Sequence, residues 1–196
     1  YTSEILVSPE NKYFLNYDKD ILIGKSDPQK ETFDTLYFVS RYVKQVVIPP
    51  FIKKINSFAF SNCNKLFLVK LSEDSELEII DDDSFTNSTI NKIYIPKHVK
   101  TIGKNAFTNC PNLSIFEFAE DIELQSIGKG AFKNTKIIHL YIPKSVKKLH
   151  DGWCKRLVNI KDISVSPENK FFSVFEGKMI VEKTNPESEE YDVIQY

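Results

Sequence analysis

The sequence has neither an excess of charge of one sign nor a long apolar run. Its 26 basic and 27 acidic residues give a formal net charge of −1, so the chain lacks the overall positive field that attracts nucleic acid or anionic lipid. No apolar run approaches the ~20 residues that a membrane-spanning helix needs. The sequence therefore predicts neither a nucleic-acid partner nor membrane insertion within this segment. Its 41% apolar content is enough for a buried core.

Cysteine and histidine, which often bind metals or take part in catalysis, are also sparse, with three of each. The three cysteines are too few for a disulfide framework and form no CxxC pair of the kind that holds zinc. The three histidines fall at different phases of the repeat described below, so stacking of the repeats would not bring them together. No P-loop, GxGxxG or Ser/His/Asp pattern occurs in the sequence. We therefore expect a non-enzymatic protein with no catalytic residues, no metal and no cofactor.

Internal repetition is what the sequence has instead. Five apolar anchors follow one another at intervals of 25, 22, 25 and 22 residues, so the full module is 47 residues long. Phenylalanine stands five residues after each of the first four anchors, and asparagine stands seven residues after them. A module this short cannot bury its own apolar set, so successive modules must stack into a solenoid. The anchors are Ile55, Ile80, Ile102, Ile127 and Leu149, and the phenylalanines are Phe60, Phe85, Phe107 and Phe132.

A second signature, apolar–x–x–apolar–x–apolar, occurs six times, for example as Ile90, Ile93 and Ile95. Its last two apolar positions alternate with x, which is the period of a half-buried strand. Proline follows three of these strands and ends them, because it has no N–H to donate. The sequence predicts a leucine-rich repeat solenoid with a parallel β-sheet on one face and short 3₁₀ or irregular connections on the other. The phenylalanines should form a ladder in its core, and the asparagines should cap backbone groups in a buried turn.

The segment IPKHVKTIGKNAFTNCPNL (95–113) resembles the BspA-like leucine-rich repeat family, whose units read roughly I-P-x-x-V-x-x-I-G-x-x-A-F-x-x-C-x-x-L. The match is good in residues 48–71, 95–118 and 142–157 and looser in the two 25-residue repeats. Many members of the family are surface proteins of bacteria and parasitic protists. The resemblance therefore implies a cell-surface or secreted protein that adheres to host cells or to extracellular matrix such as fibronectin. The alternative is a cytoplasmic scaffold or assembly subunit that uses the same repeat surface.

Two nearly identical octapeptides, VSPENKYF (7–14) and VSPENKFF (165–172), begin segments that align without a gap over 32 residues with 11 identities. The turn FEGK (175–178) between two apolar runs predicts a β-hairpin, and YDKD (17–20) is its counterpart. We expect this chain to be one continuous domain cut from a longer array. Its predicted parts are an N-terminal hairpin unit at 1–42, five plain repeats at 43–165, and the start of a second hairpin unit at 166–196.

The acidic run SEDSELEIIDDD (72–83) has two interpretations. Calcium binding is one, but the spacing of the carboxylates is not that of an EF-hand and the loop glycine is missing. The other rests on the lysines that neighbouring repeats carry at the equivalent positions, so that acidic and basic rungs alternate along the solenoid. The sequence favours ion pairs between rungs, or plain solvation of the charges, over a calcium site.

The outward positions of the predicted strands form the candidate binding surface, because a solenoid usually binds on its strand face. Tyr94 and Tyr141 lie one module of 47 residues apart, or about 10 Å by strand spacing. Tyrosine with nearby charge is typical of protein contact surfaces, although tyrosine also simply favours strands. The residues predicted to contact a protein ligand are Leu68, Lys70, Lys92, Tyr94, Ile115, Glu117, His139, Tyr141 and Asp162.

Overall fold

The computed structural model describes residues 5–177, 179–188, 190–191 and 193–194. These residues form three sets of strands. The first set is β4 (Gln45–Val47), β6 (Leu68–Lys70), β8 (Lys92–Ile95), β10 (Ile115–Phe118), β12 (His139–Ile142) and β14 (Asp162–Val165). The second set is β5 (Lys54–Ile55), β7 (Ile79–Ile80), β9 (Thr101–Ile102), β11 (Ser126–Ile127) and β13 (Lys148–Leu149). The third set is β1 (Phe14–Asn16), β2 (Ile21–Gly24), β3 (Thr35–Val39), β15 (Phe172–Phe175), β16 (Met179–Glu182) and β17 (Val193–Ile194).

Parallel pairing of the first set builds a solenoid of about six turns. Strands β4, β6, β8 and β10 form one parallel sheet, and β12 and β14 form another next to it. The predicted leucine-rich repeat solenoid with a parallel sheet on one face is therefore confirmed. We call the outward side of these six strands the strand face. No helix among the described residues is long and apolar enough to cross a bilayer.

The second set of strands is a ladder that the sequence did not predict. Each turn adds one two-residue strand, and β5, β7, β9, β11 and β13 pair in parallel in chain order. The repeats therefore contribute two strands each rather than one. The connections between the two ladders are irregular turns, and a two-residue strand is too short to show any alternation in the sequence.

Antiparallel hairpins flank the solenoid. Strands β1, β2 and β3 pair antiparallel, and β3 continues into the second ladder by pairing in parallel with β5. Strands β15 and β16 form the hairpin expected around FEGK, with Gly177 at a φ of 66°, which glycine adopts without strain. The exact division of the chain into units at 1–42, 43–165 and 166–196 stays a prediction.

The core is organised around the expected phenylalanine ladder. Phe60 stacks on Phe85 with ring centroids 4.4 Å apart, and Phe85 stacks on Phe107 at 5.0 Å. Phe107 stacks on Phe132 at 6.2 Å, with the two rings inclined by 14°. All four side chains are fully buried. The ladder therefore runs through four successive repeats, and each ring stacks on the ring of the next repeat.

Trp153 ends this ladder. In the last repeat the large side chain stands at the position that alanine occupies in other repeats, and the small one stands at the phenylalanine position. The Phe132 N–H donates to the Trp153 carbonyl, just as the Phe107 N–H donates to the Ala131 carbonyl one rung earlier, so Trp153 occupies the alanine position of its repeat. Cys154, in the phenylalanine position, is small. The Trp153 ring is fully buried and meets Phe132 edge to face at 6.2 Å. Its fused ring thus covers the end of the ladder where a phenylalanine is missing.

The asparagine column does not lie in a buried turn, as the sequence predicted, but at the surface. Asn62, Asn87, Asn109 and Asn134 are exposed rather than buried, and their backbones have φ angles between 56° and 61°. Asparagine tolerates this left-handed conformation better than most residues. The side-chain Nδ2 of Asn87, Asn109 and Asn134 each donates to the Oδ1 of the asparagine on the preceding rung, over 2.7 to 3.1 Å, while the Asn62 Nδ2 donates to the Ser61 hydroxyl. The column is therefore a ladder of side-chain hydrogen bonds along a solvent-exposed edge.

Residues of the acidic run (72–83) form ion pairs with lysines of the neighbouring rungs, as the alternation of acidic and basic rungs predicted. The Lys54 Nζ lies 2.7 Å from Asp81, and the Lys100 Nζ lies 2.8 Å from Glu78. The hydrogen bond from Lys100 lowers the pKa of the Glu78 carboxyl. Each pair is partly solvent-exposed, so each contributes little to stability by itself. Within the part of the chain that the structure describes, no three candidate metal ligands converge.

The cysteine thiols are all free and buried. Burial raises the pKa of the Cys110 thiol from its ordinary 9.0 to about 11, and that of Cys154 to about 12. Because the unfolded thiols lose their protons more readily, the stability that these groups contribute is complete below pH 9 and is lost as the pH rises through about 11 to 12.

We expect native protein at pH 8 to react with a thiol reagent such as DTNB at least about a hundred times more slowly than urea-unfolded protein. Three thiols per chain should react after unfolding. The rate should fall further in conditions that stabilise the fold, since access requires opening of the core. Fast reaction of even one thiol in native protein would contradict the burial described above.

Candidate binding surface

All nine predicted contact residues lie on strands of the first set, which form the strand face. Alternation along each strand sends the middle apolar residue into the core and its two neighbours outward, as Ile93 is 2% exposed while Tyr94 is 36% exposed. Ile115 and Tyr141 are also exposed, at 46% and 44%. Leu68 is half-buried, and Lys70, Lys92, Glu117, His139 and Asp162 are exposed. Their role in binding stays a prediction.

One groove on this face is lined by Tyr94. Its volume is about 470 Å³, and Val47, Leu68, Lys70 and Glu117 contribute to its walls. Strand register places Tyr94 directly beside Glu117, while Lys70 lies on the strand on the other side. A ligand would therefore meet a tyrosine ring with a cation on one flank and a carboxylate on the other.

A second groove lies around Tyr141. Its volume is also about 470 Å³, and its walls include Glu117, His139, Tyr141 and Ser164. Glu117 belongs to both grooves, so the two form one continuous strip across the junction between the two sheets of the strand face. Each groove offers an apolar floor, one tyrosine and a few polar groups, which is the composition of a surface that binds protein.

The structure does not bring all nine predicted residues into this strip. Ile115 and Asp162 lie on the strand face but contribute to neither groove. Asp162 instead borders a smaller cavity of about 220 Å³ that Ile160 and Met179 also line. Val47 lines the first groove and is 61% exposed, although it was not among the predicted contacts. Its alternation with the buried Val46 was the signal that could have identified it.

Comparisons with known proteins place the chain among repeat proteins. A family model described as the BspA type leucine rich repeat region matches residues 31–161 in six copies. The structure resembles the pneumococcal vaccine antigen PcpA with a TM-score of 0.68 at 28% sequence identity, covering 76% of this chain and 38% of that one. No curated protein matches the chain significantly.

Two further solved structures share the fold. A leucine rich cell surface protein from Faecalibacterium prausnitzii gives a TM-score of 0.52 at 13% identity, covering 92% of this chain and 59% of that one. A leucine-rich repeat protein from Eubacterium ventriosum also gives 0.52, at 17% identity, covering 87% and 48%. The chain thus spans between 38% and 59% of the length of these three proteins.

Proposed function

Because the chain belongs to the BspA-type leucine-rich repeat family, as its sequence predicted, we propose that it is a non-enzymatic, protein-binding part of a cell-surface adhesin. In this proposal the strand face contacts host cells or extracellular matrix. The observation that carries the proposal is the strip of two grooves on the strand face, which share Glu117 and are lined by Tyr94 and Tyr141 respectively. Repeat solenoids bind extended partners on such faces.

The names of two relatives support a surface location. One is a pneumococcal vaccine antigen and another is a cell surface protein, and this chain has the same fold as both. Fold alone does not determine function, so the location needs its own measurement. We would label the segment with antibody on intact and on permeabilised cells. Labelling of intact cells is the expected result, whereas labelling only after permeabilisation would favour an intracellular scaffold.

We expect the double variant Tyr94→Ala plus Tyr141→Ala to bind immobilised fibronectin or host cells at least about ten times more weakly than the unmodified chain. Tyrosines at the centre of an interface often contribute more than 1 kcal/mol each to binding, and ~1.4 kcal/mol is a tenfold change. Surface plasmon resonance would measure the loss.

Tyr42→Ala is the matched control for this variant. Tyr42 is 54% exposed but precedes the first strand of the strand face, so its removal should leave binding unchanged. Equal binding by all three proteins would exclude the strip as the contact surface. Equal weakening in the control and the double variant would do the same.

A further inference from the structure

An apolar groove lies where the N-terminal hairpin meets the solenoid, away from the strand face. Its volume is about 520 Å³, and its apolar walls include Leu15, Tyr17, Phe33 and Phe51. Leu15, Tyr17 and Phe51 are 46%, 48% and 39% exposed. The Tyr17 and Phe51 rings meet edge to face with centroids 5.8 Å apart. Clustered exposure of large apolar side chains marks a site of interaction more often than isolated exposure does.

The polar lining of this groove carries net negative charge. Glu31, Asp34 and Glu76 contribute three carboxylates, and Lys53 contributes the one ammonium group of the lining. Lys53 pairs with Glu76 over 3.5 Å, and both side chains are about half exposed, so the pair is weak. Burial would raise the pKa of Asp34, but hydrogen bonds from Ser26 outweigh this and lower it. The groove is therefore electrostatically suited to a cation.

The second hairpin has an equivalent groove. Its volume is about 460 Å³, and Phe175, Val181 and Tyr191 are among its walls. These residues lie 158 positions after Tyr17, Ile23 and Phe33, so the same positions of the two hairpins line both grooves. The walls that recur with the repeated sequence belong to the hairpins, and the N-terminal groove adds Phe51, Lys53 and Glu76 from the solenoid.

Aromatic rings at these grooves already contact cations within the chain. The Lys25 Nζ lies 5.5 Å from the centroid of Phe33, and the Lys183 Nζ lies 4.9 Å from that of Tyr191. The two lysines and the two rings occupy equivalent positions of the repeated segment. An ammonium or guanidinium group over an aromatic face is a favourable contact, and desolvation strengthens it.

We propose that the groove between the N-terminal hairpin and the solenoid binds an arginine or lysine side chain presented by a peptide segment of a protein partner. The methylene stem packs against the surface that the Tyr17 and Phe51 rings form together, and the cationic head faces Glu31 and Glu76. Long basic side chains bury their stems against apolar surface while the charge stays near water. An anionic segment would be repelled by the carboxylates, and a purely polar one would leave the aromatic walls uncovered.

Fluorescence anisotropy with a labelled hexapeptide of alternating arginine and leucine tests the proposal. A second hexapeptide carries citrulline in place of arginine, which removes the charge with little change of shape. The arginine peptide should bind the protein at least about ten times more tightly at 50 mM salt, and the difference should shrink as salt rises. Equal binding of the two peptides overturns the proposal.

Variants locate the binding. Glu31→Gln combined with Glu76→Gln should weaken binding of the arginine peptide at least about fivefold, since both side chains are exposed and their loss does not disturb packing. Tyr17→Ala should weaken it similarly, whereas Tyr94→Ala on the strand face should not. The opposite pattern would move the site to the strand face and overturn the proposal. A concentration-dependent dimer in sedimentation that Tyr17→Ala abolishes would assign the groove to a second copy, and would also overturn it.

Discussion

Phe107→Ala is expected to lower the free energy of unfolding by about 4 kcal/mol, because it removes a fully buried ring from the middle of the core ladder. Phe107 contacts Phe85 and Phe132 in the ladder and meets Phe116 edge to face at 5.2 Å. In a solenoid each repeat packs only against the repeats before and after it. No other part of the chain can therefore move in to fill the cavity that the missing ring leaves. Urea unfolding followed by the fluorescence of Trp153, the one tryptophan, would measure the loss.

Phe67→Ala makes the same chemical change at a position that is 45% exposed. It should cost less than about 1 kcal/mol, since nearly half of the Phe67 surface is already in contact with water. A similar loss in both variants would mean that the ladder is not the principal source of stability. Loss of two-state unfolding in Phe107→Ala alone would instead show that the variant uncouples the rungs on either side of residue 107.

The parts of the fold that sequence predicted are those with a regular period. The large apolar side chain five residues after each anchor has no place in a stacked repeat except the core, so the ladder through Phe60 and Phe132 followed directly. The outward positions of the strand face followed from alternation in the same way. The pairing of Lys100 with Glu78 followed from the alternation of charged rungs.

Features that depend on backbone conformation or on contacts between unlike segments were not predictable. The exposed amide ladder requires that Asn87 adopt a φ of 61° and point along the solenoid axis, and composition does not show this. The hairpin groove joins Tyr17 to Phe51 and Glu76, which share no period. The division of the strand face into two grooves with Glu117 between them likewise depends on local side-chain shape rather than on the repeat.

Gly128→Ala is expected to cost about 3 kcal/mol of unfolding free energy, near the upper end of the usual range for overpacking. A Cβ at Gly128 would lie 2.5 Å from the Gly103 carbonyl carbon and 2.5 Å from the Lys104 nitrogen. A Cβ at Gly103 would in turn lie 2.6 Å from the backbone of Asp81 and Asp82. The Gly128 N–H donates to the Ile102 carbonyl over 2.8 Å, so the added methyl group must separate two rungs that this hydrogen bond holds together.

Gly177→Ala separates this steric effect from backbone conformation. Gly177 has a φ of 66° and no neighbouring atom within 4 Å of an added Cβ, so alanine there should cost only the ~1 kcal/mol of left-handed backbone. Residues with side chains, such as Asn56 and His150, stand at the phase of Gly128 in other repeats, so a Cβ is compatible with this phase of the fold where the neighbouring rung leaves room for it. Urea unfolding of the two variants therefore measures the close approach of the rungs at Gly128 directly. A cost at Gly128 no larger than that at Gly177 would mean that the turns there separate freely, and that the rungs are held together by the core ladder alone.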